Sequence, residues 1–187
     1  TGAWSAIRSA LLTEQNPAVV AELVRSLGKL NPKNSADQAG QAADLASMAI
    51  PALNVLKKND NADAYLRQAA VQSLVTMTEN PCDLLAAFEE HKKDYDTPAV
   101  RLGLVLALRK LQCRRLGEFL NDSDPRVVTE AARAIHDQEL TVPMEALAEL
   151  ASKPGLPEAV VFRALNANFK LGGESAARRL AEYATRT

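Results

Sequence analysis

The stretch Thr97-Pro98-Ala99-Val100-Arg101-Leu102-Gly103-Leu104-Val105-Leu106-Ala107-Leu108 decides how this chain is read. Thr97 can accept a hydrogen bond from the free amides of a first helical turn, and Pro98 falls where a missing N–H costs nothing. Val100, Leu104, Val105 and Leu108 then follow at offsets of four, one and three, which places them on one helical stripe. The same cap recurs at Asn16-Pro17-Ala18-Val19, Asp63-Ala64-Tyr65-Leu66 and Asp124-Pro125-Arg126-Val127, with Pro at the first helical position in all but the Asp63 copy. Behind these starts run Val19-Leu23-Val24-Leu27, Leu66-Ala70-Val71-Leu74 and Val127-Ala131-Ala132-Ile135. These are helices, capped alike.

The copies are spaced by 47, 34 and 27 residues, inside the range of helical repeats, and Val161-Leu165-Asn166-Phe169 reads as a fifth, 34 residues on. Between them, apolar periodicity predicts partner helices over Ala3–Thr13, Asp37–Lys58, Pro81–Lys93, Cys113–Asn121, Pro143–Lys153 and Glu174–Arg186. The expected order is helix A, short turn, helix B, about five pairs and one unpaired terminal helix. Pro51 should kink or break the Asp37–Lys58 segment, leaving an extra helix over Asp37–Ile50. Asn31–Ser35 and Lys57–Asn61 read as loops, and Gly172-Gly173 as a helix end.

Composition points the same way. The 187 residues include 33 Ala and 26 Leu against 16 Val plus Ile, which favours helix and nearly excludes a β-sandwich or barrel. An isolated pair of such helices cannot bury its own stripe, so pairs must stack. The expected fold is all-α, a right-handed α-α superhelix of the HEAT or armadillo type. It would form a single domain over residues 1–187, with B helices inside and A helices outside. At about 8–10 Å between axes it would be on the order of 50 Å long.

Chemistry is thin by comparison. Acidic residues number 23 and basic 22, a net charge of −1, which argues against a phosphate-neutralising surface. No apolar stretch is long enough to span a membrane, so no membrane insertion is expected. No Gly-rich phosphate loop and no metal-ligand spacing occurs, so neither metal nor cofactor is expected. His91 reads as part of a solvated helix end, His136 as a cover for its helix C-terminus, and Glu89-Glu90 as diverging carboxylates. Cys82 and Cys113 read as buried or half-buried thiols, too far apart to pair. Opening on Thr1-Gly2-Ala3-Trp4 without Met, the chain reads as a fragment of a longer one.

The functional surface the repeat predicts is the inner face, one step round from the core stripe. It carries Arg25 and Lys29 on the first B helix, with Glu22, and Tyr65 and Gln72 on the second, with Thr76. Leu106 and Lys110 follow on the third, then Arg126, Glu130 and Arg133 on the fourth, with Asp137. Mixed charge suits a protein or peptide, or other domains of the same chain, better than nucleic acid.

Two segments, Ala49-Ile50-Pro51-Ala52-Leu53 through Ala70 and Leu116-Gly117-Glu118-Phe119 through Ile135, resemble HEAT repeats, a family in which a Pro in helix A, an Asp at the turn and an Arg in helix B recur. Asp63 with Arg67 fits that pattern, Thr97 with Arg101 fits in part, and Asn16 with Val20 and Asp124 with Val128 lose the Arg. Asp124–Asp137 and Arg163–Gly172 are similar to the HEAT segment of large bacterial membrane-bound dehydrogenases. There the segment joins a propeller to a c-type haem domain. The resemblance implies a non-catalytic spacer or docking module in an exported, periplasmic redox protein. Because the haem-attachment pattern Cys-x-x-Cys-His is absent from these residues, no haem is expected on them. The alternatives are a nucleic-acid-binding or repair-type HEAT enzyme and a free-standing adaptor.

Overall fold

The computed structural model describes residues 2–30, 45–78 and 80–185. All the regular structure among the described residues is helical. In chain order, α1 is Gly2–Thr13, α2 Pro17–Lys29, α3 Leu45–Asn59, α4 Ala64–Met77, α5 Pro81–Tyr95 and α6 Pro98–Lys110. A 3-10 helix, Arg114–Asn121, precedes α7 (Pro125–Asp137) and α8 (Thr141–Glu149). After a short 3-10 turn, Leu150–Ser152, come α9 (Glu158–Leu171) and α10 (Gly173–Ala184). The all-α expectation holds, and the helices pack as stacked pairs of the α-solenoid type. They form two compact units, residues 1–111 and 112–187.

All four predicted caps form. The side chains of Asn16, Asp63, Thr97 and Asp124 accept from first-turn amides of α2, α4, α6 and α7. A fifth cap escaped the sequence reading. Asn80 accepts from the Cys82 amide at 3.0 Å with Pro81 at the first position of α5, so the signature marks an A helix as well.

In the first unit the B helices α2, α4 and α6 pack side by side, α3 packs under α4, and α5 packs on α3. Val24, Leu27, Leu53, Leu56, Leu74, Leu104 and Leu108 are buried between them. Each such side chain contributes about 2 kcal/mol of transfer free energy. The α2–α4 crossing depends on Gly28, where an added Cβ would lie 2.8 Å from the Ser73 Cα and strike the Thr76 hydroxyl. That close approach moves the buried set of α2 to Ala21, Val24, Leu27 and Gly28, and leaves the predicted stripe member Val19 exposed.

Pro51 does not break its helix. From Leu45 to Asn59 α3 is continuous, burying Met48, Ala49, Ala52, Leu53, Val55 and Leu56 around the proline. Packing on both flanks outweighs the roughly 3 kcal/mol that an interior proline costs. Of the predicted extra helix over Asp37–Ile50, residues 45–50 belong to α3 and the rest lie outside the described residues, as does the Asn31–Ser35 loop. The other predicted loop is partly helix, because α3 runs to Asn59 and the turn itself is Asp60-Asn61, both at positive φ. The Asn59 side chain holds that turn, donating to the Asp63 carbonyl and accepting from its amide at 2.8 and 3.0 Å.

In the second unit the 3-10 helix packs on α7 and α8, α8 on α9, and α9 on both α7 and α10. The segment predicted as an A helix from Cys113 is therefore 3-10 rather than α. Leu116 and Phe119, three apart, eclipse on one side in that tighter winding, and Gly117 lowers the local α preference.

The fifth repeat is a helix with a different register from the one expected. Val160, Ala164, Ala167 and Asn168 are buried on α9, whereas Val161 and Leu165 are half-buried and Phe169 is 78% exposed. Small alanines permit close packing against α8. Asn168 is satisfied there, with its amide donating to the Ala148 and Ala164 carbonyls at 2.8 Å and its carbonyl accepting from Arg179 Nε at 2.6 Å. Gly172 ends α9 at φ 65° and ψ −165°, backbone that is nearly restricted to glycine.

Candidate functional site

In the first unit the inner-face residues meet across consecutive B helices. Arg25 of α2 donates to the Tyr65 hydroxyl of α4 at 2.8 Å and stacks on its ring, 4.5 Å from the centroid. The Tyr65 hydroxyl in turn donates to Glu22 at 3.0 Å, and Glu22 pairs with Arg25 at 2.6 Å. The Tyr65 hydroxyl first, and then Glu22, hold the Arg25 guanidinium more firmly in its charged form. One helix further along, Lys110 of α6 donates to Gln72 of α4 at 3.0 Å. Thr76 turns its hydroxyl onto the Gln72 and Ser73 carbonyls. Lys29 is exposed and Leu106 half-buried. Tyr65, half exposed, is the aromatic centre of the surface.

In the second unit Arg126 turns back to its own cap, pairing with Asp124 at 2.7 Å. The Arg126 guanidinium pulls the Asp124 carboxyl down to about 2. Arg133 lies 3.9 Å from Glu130 and 3.5 Å from Asp137, one ion-pair row along α7. Beside it, His136 Nε2 is 2.8 Å from Asn166 Oδ1 on α9 and Nδ1 is 3.1 Å from Asp137. Adjacent helix positions point apart, and the flexible Asp137 side chain at the helix end closes that gap. Both ring nitrogens are engaged within the protein, so neither is offered to a substrate. Lys170 of α9 pairs with Glu139 at 2.8 Å, which lowers the Glu139 carboxyl.

Elsewhere, Cys113 is buried, but Cys82 is exposed at the first turn of α5, contrary to expectation. His91 packs edge-on to Tyr95 at 6.3 Å with its Nε2 buried, so it is less solvated than its charged neighbours suggest. Glu89 is exposed and pairs with Lys92, and Glu90 is exposed. Among the described residues no cluster of three or more His, Cys, Asp or Glu could hold a metal ion, and no helix is long and apolar enough to cross a membrane.

The chain matches no protein-family model, and no curated protein matches it.

Proposed function

We propose that this chain is a non-catalytic interaction module that holds a protein or peptide against its inner face. The observation that carries the reading is the Arg25–Tyr65 stack between α2 and α4, joined in the same unit by the Gln72–Lys110 contact between α4 and α6. Tyrosine and arginine dominate the energetic centres of protein interfaces. A rigid, mixed-charge surface built from three helices suits a polypeptide better than a phosphate backbone. In line with the HEAT and dehydrogenase resemblances, the module would serve as a spacer or docking segment in a larger bacterial redox chain.

The native polypeptide, isolated with an antibody and examined by intact mass and haem staining, tests the larger-chain part. A species several times heavier than 20.1 kDa with covalent haem is the expected result. A haem-free species near that mass would sink it. Proteins that co-purify should be lost from an Arg25→Glu/Lys110→Glu double variant that melts like the parent. Undiminished co-purification would refute the inner face as the contact surface.

A further inference from the structure

A helices pack on the next A helices along each unit: α5 lies on α3, and α8 on the 3-10 helix Arg114–Asn121. The first pair departs from this rule. None of the residues of α1 is buried, and α1 packs on α2 without comparable packing against α3. Where that contact would be there is a cavity of about 450 Å³. Leu11, Leu12, Val20, Ile50, Val55 and Leu66 turn apolar surface into it from α1, α2, α3 and α4. Its volume falls within the range of preformed small-molecule sites, which combine an apolar body with a few placed polar groups.

The polar groups here are unequal in sign. Arg8 and Lys58 are exposed lining residues from two different helices. Among the described residues the lone lining carboxylate, Glu14, is already occupied by the Gln15 and Asn16 amides at 2.9 and 2.7 Å. Arg8 is stacked on Trp4 at 5.4 Å, which orients the guanidinium and leaves its N–H edges for a planar anion. Lys58 makes no hydrogen bond or ion pair with any described residue. We propose that this cavity is a binding site for a medium-chain carboxylate. Its hydrocarbon would fill the space between α1 and α3, and its head group would lie between Arg8 and Lys58.

Trp4 is the chain's single tryptophan and reports directly on the Arg8 end. The test titrates purified protein with dodecanoate, and separately with dodecyltrimethylammonium, both below micelle formation, following Trp4 emission and heat. Dodecanoate should saturate at one per chain, with the cationic amphiphile about tenfold weaker or more. Lys58→Glu, a surface change that leaves the fold intact, should weaken dodecanoate by about tenfold or more. Val20→Phe, which fills the cavity, should abolish the heat of binding. No saturable binding, equal binding of the two amphiphiles, or a Lys58→Glu variant that binds like the parent would overturn the proposal.

Discussion

Asp124 shows how much a single side chain carries here. It accepts from the Arg126 amide at 2.8 Å and pairs with the Arg126 guanidinium, and its carboxyl is held down at about 2. Folded Asp124 therefore binds a proton less readily than the unfolded residue, which titrates near 4. Its stabilisation is complete above pH 4 and is lost as pH falls toward 2. Asp124→Asn keeps a cap but removes the titration. The melting temperature of this variant should fall less steeply than the parent's between pH 4 and 2, and parallel curves would contradict the assignment.

Ser73 is the opposite case, fully buried at the α2–α4 crossing with a hydroxyl that has no partner among the described residues. An unsatisfied buried hydroxyl costs about 1–3 kcal/mol. Ser73→Ala should raise stability in urea unfolding by about 1 kcal/mol. A loss of stability would mean that the hydroxyl is bonded after all.

At the scale of the helix, the caps set the starts and differ in strength. Asp63 accepts from two amides, Tyr65 at 2.7 Å and Leu66 at 3.2 Å, whereas Thr97 accepts one at 3.3 Å. Asp63→Ala should cost about 1–2 kcal/mol and Thr97→Ala about 0.5–1 kcal/mol by chemical denaturation. The reverse order would contradict the geometry.

These starts were legible because capping is local: an Asx or Thr, in all but the Asp63 copy a Pro, then a stripe, all within twelve residues. The failures at Pro51 and α9 were tertiary, whereas the missed Asn80 cap was as local as the others. Pro51 is tolerated because α4 and α5 press on α3, information absent from the neighbouring letters. The α9 register was missed because Phe169 and Leu165 look more apolar than Ala167 and Asn168, yet the small residues pack and the amide finds two carbonyls. No signal in the sequence marked Asn168 as buried. The Arg25–Tyr65 and Gln72–Lys110 contacts were partly legible, since one step round from the stripe puts all four on one face. That His136 reaches both Asp137 and Asn166 could not be read from spacing alone, because Asn166 is thirty residues away.

For the whole molecule, alanine and leucine make helices that can approach closely and must stack to bury their stripes. The polar residues left over then fall on a shared face of consecutive helices. In the first unit, side chains from α2, α4 and α6 touch one another on that face. Exposed ion pairs of this kind contribute little to stability, about 0–1 kcal/mol each, and so can be altered without unfolding the protein.

Photo-crosslinking in the native host would show whether the inner face meets a polypeptide. A benzophenone amino acid would be placed at Gln72 on the inner face or at Glu90 on α5. A discrete polypeptide adduct is expected from position 72 and none from position 90. Equal labelling at both positions, or an adduct from position 90 alone, would contradict it.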